Sequence, residues 1–163
     1  MKATLHFDGG ARPTNPGHAG FACVLRLLLG DPVDAVRDEY LSRHIGWKTN
    51  NEAEYTGLIA GLKMAIEFQV TEIECVSDSK LVVNQVLGNW KIKEPRLRPF
   101  VFEARKLAQE FEQFKMRHVP RAQNTLADKL CTEAILYGMR NPYSPKRKNI
   151  GKILDPFSRT RVQ

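Results

Sequence analysis

The chain has 163 residues, 42% of them hydrophobic, and a formal net charge of +7. That length fits one domain with a real core, so no second domain is expected, and no apolar run approaches the length a bilayer crossing requires. The chain enters strand-like sequence at once, without a basic, hydrophobic, small-residue leader, so a soluble, cytoplasmic, monomeric protein without membrane attachment is expected. Cys23, Cys75 and Cys131 are odd in number, far apart and set among apolar residues, which favours buried reduced thiols over disulfides or zinc.

In chain order, Ala3, Leu5 and Phe7 alternate with Thr4, His6 and Asp8, the pattern of a strand that delivers Asp8 and then stops at Gly9 and Gly10. Arg12 to Gly17 is dense in turn residues, Phe21 to Leu29 extends again, and Gly30-Asp31-Pro32 turns the chain into a third, antiparallel strand from Val36 to Ile45. Tyr55, Ile59, Leu62 and Ile66 recur at helical spacing and predict a helix over Asn51 to Phe68. A short strand from Glu72 to Ser77 and a helix from about Ser79 to Leu87, closed by Gly88, follow. Asn89 to Pro95 reads as a basic loop carrying Trp90. Leu97, Phe100, Ala104, Leu107, Phe111 and Phe114 form one amphipathic stripe, Lys115 to Val119 a last strand, and Gln123 to Tyr137 a last helix. The order implies an α/β protein whose mixed sheet has helices packed on it.

Charge is unevenly placed. Residues 139–163 hold seven basic side chains against the single acid Asp155 and show no periodicity, so they read as a basic tail that suits a polyanion such as nucleic acid.

The acids are placed more selectively than a solvated surface requires. Thr49 and Glu52 have the form of a capping box, and Glu52, roughly 200° around the helix from Glu54, is expected to face solvent. Glu54 shares a face with Gly57, Leu58, Gly61 and Ala65, small residues that let the helix lie close to the sheet, which makes it the stronger functional candidate. Asp78, in Ser77-Asp78-Ser79, reads on its own as a helix cap. Asp128 lines up with Cys131 and Ile135 on an apolar edge, where a charge needs a partner such as a cation. Asp8, Glu54, Asp78 and Asp128 are all hard oxygen donors, which favours Mg2+, with Mn2+ as a substitute, over zinc. Two such ions can activate water and stabilise a leaving oxygen in phosphodiester hydrolysis.

Asp8-Gly9-Gly10, Asn15-Pro16-Gly17, Thr49-Asn50-Asn51-Glu52-Ala53-Glu54, Ser77-Asp78-Ser79 and Asn124-Thr125-Leu126-Ala127-Asp128 together, in this order, resemble the signatures of ribonuclease H type 1. The resemblance spans residues 1 to about 138. It implies an RNase H-like fold with a five-stranded mixed sheet and helices on both faces, a catalytic domain over 1–138 and a basic tail over 139–163. It also implies endonucleolytic cleavage of the RNA strand of RNA–DNA hybrids with two Mg2+ ions, leaving 5′-phosphate and 3′-hydroxyl ends. Asp8, Glu54, Asp78 and Asp128 match the family's metal-binding acids. Gly9, Gly10, Asn50 and Asn51 match substrate positions, Thr49 and Asn15 a DNA-phosphate pocket, and Trp90 the aromatic beside the DNA strand. For the auxiliary catalytic group two candidates stand. His118 keeps the bacterial separation from Asn124, whereas Arg121 stands where archaeal-like members carry an arginine and, after Pro120, lies in a loop rather than a strand. The turn from Gly9 to Asn15 is one residue longer than in common bacterial members, and the basic protrusion of many of them is replaced by Asn89 to Pro99. Two other classes compete: a module that binds nucleic acid without cutting it, which would need a broken acid set, and an integrase-like transferase, which carries further domains.

Overall fold

Alternation at the start of the chain folds into three long antiparallel strands, β1 (Lys2–Arg12), β2 (Gly17–Leu28) and β3 (Val36–Lys48), in a computed structural model that describes residues 1–30 and 35–141. Helix α1 (Asn50–Glu67), β4 (Glu72–Ser77), α2 (Lys80–Val86), α3 (Arg98–Ala108), β5 (Gln113–His118) and α4 (Thr125–Arg140) follow. The five strands form one sheet in the order β3-β2-β1-β4-β5, with β4 parallel to both β1 and β5. This is the α/β RNase H-like architecture expected from the motifs.

Side-chain alternation on β1 assigns the two faces. Leu5 and Phe7 join Tyr55, Leu58 and Leu62 of α1 and Val101 of α3 in the main core. On the other face Ala22 packs with Cys131 and Ile135 of α4. The small residues of α1 behave as their spacing implies: a Cβ on Gly57 would lie 3.1 Å from the Asp8 carbonyl oxygen, and one on Gly61 2.4 Å from the Leu5 side chain. All three cysteines are buried and free.

Several boundaries depart from the sequence reading. β1 does not stop at Gly9 and Gly10; both continue the ladder, opposite Phe21 and Gly20, because β2 supplies partners as far as His18. β2 begins four residues before Phe21, and β3 runs on to Lys48. The stripe from Leu97 is interrupted: α3 ends at Ala108, Phe111 is buried in the following turn, and Phe114 belongs to β5. Pairing with β4 overrides helical spacing there. α4 starts at Thr125, after a 3-10 turn at Arg121–Gln123. The turn at Gly30-Asp31-Pro32 falls in part outside the described residues, as does the basic tail beyond residue 141. No helix among the described residues is long and apolar enough to cross a membrane.

Candidate active site

Parallel β1 and β4 separate at their C-terminal ends, the usual place for ligands in sheets of this kind. Pairing between them runs from Lys2 to His6 and no further. Asp8 projects from β1 just beyond that split, Asp78 follows the last residue of β4, and Glu54 enters from the first turns of α1. Single carboxylate oxygens of Asp8, Glu54 and Asp78 all lie within 4.8 Å of one another. They line a cleft of about 310 Å³ together with Gly10, Arg12, Asn50, Arg121, Asp128, Cys131 and Thr132.

Local structure explains how each acid is delivered. Thr49 caps α1 in a reciprocal capping box: its Oγ1 accepts from the Glu52 N–H, and Glu52 Oε2 accepts from the Thr49 N–H at 2.8 Å. Glu52 does not face solvent as expected. It is buried, because this bond folds its side chain back over the helix start. Glu54 is 9% exposed, and its Oε2 is buried with no hydrogen-bond partner among the described residues. Ser79, not Asp78, caps α2, with its Oγ accepting from the Val82 N–H. The cap role that Asp78 suggested by itself is therefore filled by its neighbour, and the Asp78 carboxylate is left to the cleft.

Electrostatics strain the acid set. Burial first, then the charges of Asp78 and Asp128, push the Asp8 carboxyl up to about 7. Burial and the Asp8 and Asp78 charges raise Glu54 well above the ordinary carboxylate range. Crowded buried carboxylates with an orphaned oxygen and only hard donors fit a divalent cation, which would satisfy the orphan and favour the charged forms. A prediction follows for the metal-free protein. Asp8 keeps its proton to about pH 7 when folded and ordinarily loses it near 3.8, so the folded state binds more protons between these values. The Asp8 contribution to stability in chelator should therefore fall as pH rises from about 4 to about 7, and the Asp8→Asn variant should lack this component. Melting temperatures of the two proteins across that window measure it; parallel curves would contradict it.

The remaining candidates divide by place. Asn50 and Asn15 brace the turn after β1: Asn15 Oδ1 accepts from the Asn50 N–H at 2.9 Å, and Asn50 Oδ1 accepts from the Ala11 N–H at 2.7 Å. Gly9 has a packing reason, because its missing Cβ would lie 2.2 Å from the Ala53 carbonyl carbon and the Glu54 nitrogen. Asn51 and Trp90 lie apart from the acids, beside a groove of about 600 Å³ shared with Lys91, Lys93 and Leu97. Trp90 is 47% exposed on it. Arg121 lines the acid cleft and donates to Asp128 Oδ1 at 2.8 Å. His118 ends β5 opposite Ser77, exposed and outside the residues that line the cleft. Asp128 does not join the tight three-acid cluster and stands at its edge, paired with Arg121. Sequence reasoning missed two cleft residues, Arg12 and Thr132, which meet through a 3.5 Å contact from the guanidinium to the hydroxyl. Arg12 opens the run of turn residues that holds Asn15, the one signal that pointed to it.

Comparison with known proteins agrees with this geometry. A family model described as Reverse transcriptase-like matches residues 6–134. The chain is 42% identical over 135 residues to the Bifunctional protein Rv2228c of Mycobacterium tuberculosis, covering 83% of this chain and 36% of that protein. It is 42% identical over 130 residues to Ribonuclease HI of Halobacterium salinarum, covering 80% of this chain and 62% of that one. The chain thus spans about a third of the first relative's length and less than two thirds of the second's. It is similar in structure to the N-terminal RNase H domain of Rv2228c, with TM-score 0.79 and 39% identity, covering 87% of this chain and 99% of that one. LC11-RNase H1, solved in complex with an RNA/DNA hybrid, matches with TM-score 0.69 and 32% identity, covering 84% of this chain and 99% of that one. A mixed five-stranded sheet with carboxylates gathered where β1 and β4 part is the arrangement of an RNase H-like domain. The chain belongs to the ribonuclease H type 1 family.

Proposed function

We propose that the protein hydrolyses the RNA strand of RNA–DNA hybrids endonucleolytically, leaving 5′-phosphate and 3′-hydroxyl ends, and that it acts as a monomer in the cytoplasm. The observation that carries this reading is the convergence of Asp8, Glu54 and Asp78 around a buried, unpartnered Glu54 oxygen, at the foot of an open cleft. Asp8, Glu54 and Asp78, with Asp128 at the edge, would hold two Mg2+ ions, for which Mn2+ can substitute. When bound, such ions supply an activated water and neutralise charge on the leaving oxygen. The chain's own residues bind and orient the hybrid. Thr49 and Asn15, tied together through the start of α1, offer a pocket for a DNA phosphate, and Asn50 presents its side chain to the cleft. Trp90, with Lys91 and Lys93 beside it, suits stacking and backbone tracking of the DNA strand. Contacts to 2′-hydroxyls on the other strand would select RNA. The complex of LC11-RNase H1 with an RNA/DNA hybrid supports the same class of substrate here.

Incubation of the protein and Mg2+ with labelled RNA–DNA hybrid, double-stranded RNA and double-stranded DNA tests the reading. Internal cleavage of the hybrid's RNA alone is expected; equal cutting of all three, or of none, would refute it.

Arg121 has the better position for the auxiliary role. Its guanidinium is largely exposed while it holds Asp128, so it can turn to a scissile or departing phosphate, which an arginine fork fits. Arg121→Ala is expected to lower turnover by roughly one to two orders of magnitude. His118→Ala should cost far less and leave the pH–rate profile near neutrality unaltered. Loss of a limb of that profile in His118→Ala, with Arg121→Ala mild, would reverse the assignment.

Met139 and Arg140 belong to the end of α4 rather than to the tail, so the test removes residues 142–163, which should weaken hybrid binding and flatten its dependence on salt, because fewer phosphates are neutralised. Cleavage at low salt should survive, since the acids lie in the body of the domain. An unchanged salt slope would make the tail a bystander.

A further inference from the structure

Asn124 stands at the N-terminal boundary of α4, where an asparagine side chain ordinarily caps the helix. Here it makes no cap hydrogen bond. Instead the side chain turns inward, 1% exposed, and its Nδ2 donates twice: to the Phe7 carbonyl at 2.8 Å and to Asp78 Oδ1 at 2.9 Å. Both partners can only accept, so the amide nitrogen must point at them and the orientation of the group is fixed by chemistry. The Asn124 Oδ1 is left buried without a partner among the described residues, an unfavourable arrangement that only the two donated bonds offset. A residue that served packing alone would not need an amide there.

The two side-chain bonds touch one acid, Asp78, directly and, at Phe7, the strand residue before a second, Asp8. The Asp128 N–H donates to the Asn124 carbonyl at 3.1 Å, the backbone bond that opens α4 and that does not depend on the side chain at this position. The Asn124 amide makes the one side-chain hydrogen bond to the Asp78 carboxylate among the described residues. Partners of this kind orient metal-ligating carboxylates and tune their affinity.

We propose that Asn124 is a positioning residue for the metal centre: it holds the Asp78 carboxylate in its ligating orientation and fastens the start of α4 to the end of β1. This inference rests on the reading of the acid cluster as a divalent-cation site. Calorimetric titration of the full chain with Mn2+ tests both and separates them. The wild type is expected to bind; absence of binding would refute the cation site and Asn124's role with it. Asn124→Ala should bind Mn2+ at least about tenfold more weakly and require correspondingly more metal for cleavage, with KM for the hybrid unchanged. Asn124→Leu, which keeps the branched shape of the side chain without a donor, should lose as much, and it is the second variant if the alanine form is unstable. In an Asp78→Ala background, which leaves the Asn124 amide no group at position 78 to hold, Asn124→Ala should add no further loss of Mn2+ affinity, because the two act through one interaction. Wild-type Mn2+ affinity in a folded Asn124 variant would make the residue a fold anchor only. Fully additive losses in the double variant would show that it does not act through Asp78.

Discussion

Asp78→Asn should give a protein that folds as the wild type does and no longer cleaves hybrid. The helix after Asp78 is capped by Ser79, so its start does not depend on the exchanged group. Asparagine at position 78 still offers an oxygen to the Asn124 amide, whose nitrogen donates to Asp78 Oδ1 at 2.9 Å. What disappears is a negative charge within a set of carboxylates whose oxygens lie inside 4.8 Å, and with it the affinity for a second positive charge in the cleft. The melting temperature in chelator should be equal to the wild type's or higher, since the Asp78 charge is among the causes that raise both Asp8 and Glu54. Circular dichroism and a hybrid-cleavage assay measured together decide it. Near-normal turnover would remove Asp78 from the catalytic set.

Gly9→Ala should be damaging where Gly10→Ala is not. A methyl group on Gly9 would occupy space 2.2 Å from the backbone of Ala53 and Glu54, and backbone cannot swing aside as a side chain does. Either α1 lifts from β1 at its first turn or β1 bends, and both move Glu54 relative to Asp8. Overpacking of this sort costs about 1–3 kcal/mol, occasionally more. A shift of about 1 Å in a positioned group can lower turnover by about two orders of magnitude. At Gly10 the added methyl would meet Ile135 at 3.7 Å and Asn50 at 3.9 Å, ordinary contacts, so its melting temperature should stay at the wild-type value. Equal melting temperatures for the two variants would show that the close approach of α1 is not what requires Gly9.

Alternation, helical spacing and capping residues are local properties, so the elements that depend on them are legible in the amino-acid sequence alone. The capping box at Thr49, the small-residue face of α1 and the free buried cysteines all stand as read. The ordered acid motifs carry the family as well: Glu54, Asp78 and Asp128 lie near element ends that the local pattern marks, whereas Asp8 lies within β1.

Other features depend on partners remote in the chain. Gly9 and Gly10 look like the end of a strand until β2 is placed opposite them. Phe111 and Phe114 keep helical spacing with Leu97, yet the pairing of β5 with β4 takes Phe114 into a strand. Glu52 and Glu54 differ by only two positions; Glu52 is folded back by its own cap, whereas the burial of Glu54 comes from α1 lying against the sheet. Asp78 is ambiguous in sequence for the same reason, since Asp and Ser side by side can both cap and only the folded backbone shows which one reaches Val82. Asn124 is the extreme case. Its sequence position signals a helix cap, while its amide is bonded to residues 117 and 46 positions away, a choice made by the approach of α4 to β1 and β4 and by no pattern within the chain around it.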